Sequence, residues 1–131
     1  RGMAAAADAG GEVEDTLVQY LVVRMDLQKD LGWPLGSVIT QGAHASAKAI
    51  WELKDQDNVK AYMAKIDSMH KVVLGAKGEK QLQNAAAKLE EAGMEYRMWL
   101  EQPENTPTAL AVMPYPRSVI KPVLKSFPLM K

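Results

Sequence analysis

At 131 residues the chain has room for one hydrophobic core, and 47% hydrophobic with 24% charged side chains is the balance of a soluble globular domain. The lack of cysteine excludes disulfides, cysteine nucleophiles and thiolate metal sites, two histidines are too few for a His-rich metal cluster, and no apolar run nears the roughly 20 residues that cross a bilayer. Sixteen basic and sixteen acidic side chains cancel, a balance that permits contact with phosphates without demanding it.

Residues 1–15 are rich in Ala, Gly and acids and show no periodicity, so they are expected to form a flexible tail, with the domain over 16–131. That tail sets four acids against Arg1, whereas the last seventeen residues carry Arg117, Lys121, Lys125 and Lys131 and no acid. Thr16–Met25 is a near-continuous apolar run, the pattern of a central strand buried on both faces. Asp26–Leu35, with Gly32 and Pro34, predicts a loop whose Trp33 is exposed or acts as a lid. A helix is expected from about Gly36 to Leu53, capped by Gly36 or Ser37, with Ile39, Ala43, Ile50 and Leu53 as an apolar flank. A second helix is expected over Asn58–Met69 and a second strand over His70–Ala76. The next helix starts at Gly78 or Glu79 and ends at Gly93, a left-handed stop. Glu95–Glu101 alternates, with Tyr96, Met98 and Leu100 on one face and Arg97 and Trp99 on the other, which predicts a third strand. After a loop, Thr108–Met113 predicts a fourth strand, and Arg117–Ser126 a last helix kinked at Pro122.

Helices between successive strands demand right-handed parallel crossovers. The six residues of loop 102–107 are too few for a parallel connection, so one strand must run antiparallel. The expected fold class is α/β: a three-layer α/β/α sandwich on a mixed four-stranded sheet.

Ser37, Gln41, His44 and Lys48 follow one another at spacings of four, three and four residues, which places them on one face of the first helix. That stripe is either a solvated helix face or the wall of a cleft at the carboxyl ends of the strands, where open α/β sheets hold ligands. A helix N-terminus near Ser37 would then favour a phosphate or a developing oxyanion. Glu101, where the third strand runs out, suits a general base or a positioning group. Thr108 would face it if strands three and four pair, so that hydroxyl and carboxylate together could orient a water. Asn105, in the intervening loop, is a candidate substrate contact.

Three segments together carry a resemblance: Tyr20-Leu-Val-Val-Arg-Met-Asp-Leu27, Gly36-Ser-Val-Ile-Thr-Gln-Gly-Ala-His-Ala45 and Thr106-Pro-Thr-Ala-Leu-Ala-Val-Met-Pro114. They resemble the opening strand, the following helix and the last strand of the second (archaeal and eukaryotic) class of peptidyl-tRNA hydrolase. The resemblance runs from about Leu17 to Lys131, and Trp99–Asn105 looks closest to a divergent eukaryotic branch, the peptidyl-tRNA hydrolase domain-containing proteins. It implies strand order 2-1-4-3 with strand four antiparallel. It implies hydrolysis of the ester between a peptide and the tRNA 3′ ribose, without metal or cofactor. It implies Glu101, Thr108 and His44 as catalytic residues and Ser37, Gln41 and Asn105 as substrate contacts. Ser37 stands where the family carries its catalytic lysine, and Glu101 where it carries an aspartate. Lys48, eleven residues beyond Ser37, lies about 16 Å along the helix and is a poor stand-in. The expected partner is peptidyl-tRNA in the cytoplasm, with no membrane, and a homodimer is one expected assembly. The missing lysine keeps a second expectation open, a non-catalytic module that binds an RNA end or a protein on the same fold.

Overall fold

The structure, a computed structural model, describes residues 15–131. In chain order its elements are β1 (Leu17–Arg24), α1 (Asp26–Lys29), α2 (Leu35–Glu52), α3 (Asp57–Ala64), β2 (His70–Ala76), α4 (Glu79–Glu91), β3 (Tyr96–Glu101), β4 (Thr106–Val112), β5 (Tyr115–Pro116) and α5 (Arg117–Ile120). β1 is buried from Val18 onward on both faces because helices cover both sides of it. It pairs parallel with β2 and antiparallel with β4, and β4 pairs antiparallel with β3. The sheet order is therefore β2-β1-β4-β3, as expected, with β4 as the reversed strand.

Side chains of a strand alternate between faces, so β1 feeds two cores. Val18, Tyr20 and Val22 pack with Leu82, Leu89, Leu110, Ile120 and Leu124 on the α4 side. Leu21 and Val23 pack with Leu27, Val38, Ala45, Ala49, Ala109 and Ala111 on the α2 side. The small residues of this second core let α2 lie close to β4, and that closeness brings polar groups of the two elements into contact.

Several local expectations are corrected. A single helical turn, α1, forms within the expected loop, at Asp26, which Arg24 holds by a two-point ion pair. Neither Gly36 nor Ser37 caps α2; the helix begins one residue earlier, after Pro34, whose ring fixes an extended entry. Ile39 is 63% exposed and joins none of the buried cores. α3 stops at Ala64, because Lys65 leaves helical geometry, and a 3-10 turn over Ile66–Ser68 follows. α5 ends at Ile120, since Pro122 cannot continue an α-helix, and the two-residue β5 pairs with Leu17 and Val18. Gly93 has φ 70°, the expected left-handed stop after α4.

The expected tail lies outside the described residues except for Asp15, whose carboxylate accepts the backbone N–H of Ser118 at 3.1 Å and also its hydroxyl. The outer edge of β2 is partly covered by residues 128–130: Gly75 N–H donates to the Pro128 carbonyl at 2.8 Å and Met130 N–H to the Val73 carbonyl at 3.0 Å. Among the described residues, no helix is long and apolar enough to cross a membrane.

Candidate active site

The β3–β4 pairing shifts register between Trp99 and Leu100. Beyond that irregularity Glu101 stands across from Thr106, not Thr108, so the expected face-to-face pair of Glu101 and Thr108 does not form. A shift of one residue re-aims every side chain after it. Thr108 is fully buried and turns toward α2, where its hydroxyl donates to Gln41 Oε1 at 2.7 Å. Gln41 is only 2% exposed, and its Nε2 donates to the Ser37 carbonyl at 3.1 Å. A short relay of hydrogen bonds thus runs from the sheet through the Gln41 amide to the first turn of α2.

Above this relay lies an open cleft of about 480 Å3, walled by Trp33, Ser37, Thr40 and Gln41 on one side and by Glu101–Glu104 on the other. Trp33 is half-buried in the wall of this cleft, not fully exposed as one expectation had it. Glu101 is half-buried, and its Oε1 accepts the indole N–H of Trp99 at 2.9 Å. Glu101 Oε2 has no protein partner among the described residues. The Trp99 ring in turn stacks on His44, with centroids 4.2 Å apart and planes 20° from parallel. His44 sits behind Trp99, one helical turn from Gln41, and is not part of the cleft wall. Trp99 was not among the candidates, although the alternation of β3 had set it opposite Tyr96 and Met98. That alternation was the available signal, because it turns Trp99 toward α2.

Other candidates are placed differently. Asn105 is an exposed turn residue with φ 59°, and its Oδ1 accepts Gln102 Nε2 at 2.9 Å, so it closes the β3–β4 turn and does not line the cleft. Asn is one of the few residues that tolerate this backbone region. Lys48 donates to the Met98 carbonyl at 3.3 Å and does not line the cleft. No basic side chain lines the cleft, which holds the carboxylates of Glu101 and Glu104. Arg24 anchors β4 from beneath: its two-point pair with Asp26 frees Nη1 to donate to the Pro107 carbonyl at 3.0 Å, beside Thr108. Hydrogen bonding to Asp26 raises the Arg24 pKa against the opposing effect of burial. Among the described residues, no group of three or more His, Asp or Glu side chains is arranged to hold a metal ion.

The residue pattern of the family Peptidyl-tRNA hydrolase PTH2 matches residues 17–130. The human protein named "Putative peptidyl-tRNA hydrolase PTRHD1" is 40% identical over 124 residues, which cover 94% of this chain and 89% of that one. The mouse protein of the same name is 40% identical over 116 residues, 88% of this chain and 83% of that one. Likeness at this level spans every strand and every helix described above, and the chain belongs to the peptidyl-tRNA hydrolase PTH2 family.

Proposed function

We propose that this protein hydrolyses the ester between peptide and tRNA in peptidyl-tRNA, as a cytoplasmic enzyme of peptidyl-tRNA recycling, with the scissile carbonyl in the cleft between α2 and the β3–β4 turn. The observation that carries this reading is a carboxylate and an amide sharing one cleft, each fixed from behind: Glu101 by Trp99 and Gln41 by Thr108. Glu101 Oε2 takes a proton from a water as the water oxygen bonds to the ester carbon. General-base assistance of this kind supplies about 10²–10⁴-fold. Gln41 Nε2 spends one hydrogen on the Ser37 carbonyl, and its second N–H is directed to the carbonyl oxygen as that oxygen gains charge. The tetrahedral intermediate collapses by breaking the bond to the ribose oxygen, which recovers the proton from Glu101. Thr108 and Trp99 are positioning residues, and His44 supports the Trp99 plane. A neutral amide stabilises an oxyanion less than an ammonium does, so turnover is expected to be slow for the family.

The test is peptide release from a peptidyl-tRNA by the purified protein. Glu101→Gln is expected to lose about 100-fold or more, and Ser37→Lys to gain. Equal turnover by wild type and Glu101→Gln would sink the assignment. One observation favours a second reading, a non-catalytic module: the cleft is lined by two carboxylates and no cation. Retained binding with no turnover would select it.

A further inference from the structure

The two sides of α2 differ. Gln41 and His44 meet β4 and β3, whereas Val38, Ile39, Gly42 and Ser46 face β1 and β2 across a separate groove of about 680 Å3. That volume lies within the range of small-molecule sites. The groove shares no lining residue with the cleft. Its floor is one face of two parallel strands, in which Gln19 stands beside Lys71, Leu21 beside Val73 and Val23 beside Gly75. Its apolar wall is open to water: Leu35 is 58%, Ile39 63% and Val73 39% exposed.

Charge is confined to one end. Lys71 donates to Gln19 Oε1 at 2.5 Å and to the Tyr62 hydroxyl at 3.3 Å, and its ammonium lies 5.2 Å from the centre of the Tyr62 ring. Gln19 is fully buried and is also held by the Ser46 hydroxyl at 2.8 Å. The segment along β2 runs antiparallel with Leu129 opposite Leu74, and Met130 and Lys131 at its end are among the residues that line the groove. Neither lysine has an ion-pair partner among the described residues, and no Asp or Glu side chain lines the groove. Loss of water around Lys71 lowers its pKa from the ordinary lysine value. A cation held this way by neutral groups is stabilised by an anion brought beside it. From Ser46 back to Leu35 the helix lays down about 16 Å of wall that carries no charge.

We propose that this groove binds a single-chain anionic amphiphile, with a carboxylate head at Lys71, whose third N–H is left after Gln19 and Tyr62 take two, and an aliphatic tail along Leu21, Val73, Ile39 and Leu35. A second copy of the chain is a poorer occupant. Docked through the same face it brings its own two lysines, and no Asp or Glu side chain in the groove receives them.

The probes are dodecanoate and its uncharged analogue dodecanol, titrated below micelle formation into the full chain by calorimetry. Dodecanoate binds with one-to-one stoichiometry and about tenfold or more tighter than dodecanol, the worth of one charge-assisted hydrogen bond. Lys71→Met brings the two probes within about twofold of each other, and Lys71→Arg restores the difference. Ile39→Asp, at an exposed position, weakens both probes without changing the thermal midpoint. Peptidyl-tRNA turnover is unaltered in all three variants, so this site and the cleft fail or stand separately. Equal binding of acid and alcohol by wild type overturns the proposal, as does binding that survives both Lys71→Met and Ile39→Asp. A wild-type dimer in sedimentation that Ile39→Asp dissolves also overturns it, by making this face a self-interface.

Discussion

Thr108 is fully buried and Gln41 nearly so, with its Oε1 turned inward from the cleft, so the hydroxyl and that oxygen depend on each other for a hydrogen bond. Thr108→Val keeps the shape and removes the donor, leaving Gln41 Oε1 buried without a partner. The expected loss is about 1–3 kcal/mol in urea unfolding, together with lost peptide release as the amide is no longer aimed. Thr108→Ser keeps the donor and is expected to retain both. Wild-type stability in the valine variant would mean that the bond holds nothing. The stripe Ser37, Gln41 and His44 was legible in the sequence because helical spacing is fixed. The partner of Thr108 was not, because it depends on one irregularity after Trp99 that no local pattern marks. Titration belongs to this scale too. Burial raises the Tyr62 pKa to about 12, and burial together with Glu90 raises that of Tyr96 to about 12. Both phenols bind their protons more tightly when folded, so the stability they contribute is complete below the unfolded value of 10.0 and is lost as pH climbs toward 12. Lys71 acts in the opposite sense, since its depressed pKa is a burden at neutral pH that eases as pH rises to 10.5. Urea midpoints between pH 10 and 12 should fall less steeply in Tyr62→Phe than in wild type.

Elements are placed by how near their backbones can come. A methyl group at Gly42 would lie 3.5 Å from Leu21 Cδ2 and 3.6 Å from Val23 Cγ2, which is ordinary contact. Gly42 is inside α2, so Gly42→Ala is expected to stabilise by about 0.5–1 kcal/mol through reduced backbone freedom in the unfolded chain. Gly75 in β2 is different, because a methyl there collides with Met25 Sδ and comes within 2.8 Å of its Cγ. Gly75→Ala is expected to lower the thermal midpoint, and Met25→Ala in the same chain to recover part of the loss. Equal midpoints for the two single variants would refute this picture of the packing. That one strand must run antiparallel was legible in the six-residue loop, whereas the order of the strands was implied only by the family resemblance. The ends of elements were less legible. The break after α3 and the early stop of α5 depend on backbone geometry at Lys65 and on the ring of Pro122, and a two-residue pairing such as β5 leaves no periodic trace.

Over the whole molecule, a net charge of zero conceals a separation. The cleft carries Glu101 and Glu104, while Arg117, Lys121 and Lys125 border a hollow beside Asp15 and Thr16, where β5 pairs with the first residues of β1. β1 has eight residues, so its two ends stand about 23 Å apart at 3.3 Å per residue. A tRNA whose 3′ end enters the cleft meets no cation there, and its phosphates can gain attraction only from basic groups farther off. The tract at 117–125 is one such group within the span of an acceptor arm. Each phosphate contact releases counterions and steepens the fall of affinity with salt by about 0.7–0.9 in log–log slope. Lys121→Glu with Lys125→Glu is therefore expected to flatten that slope by about 1.4–1.8 and to weaken binding at low salt. Single-turnover cleavage at saturating enzyme should stay as in wild type, since neither lysine reaches the ester. An unchanged slope would place the tRNA body on another face, and a slope near zero in the wild type would remove nucleic acid from the account and favour a module that binds a protein at the acidic cleft.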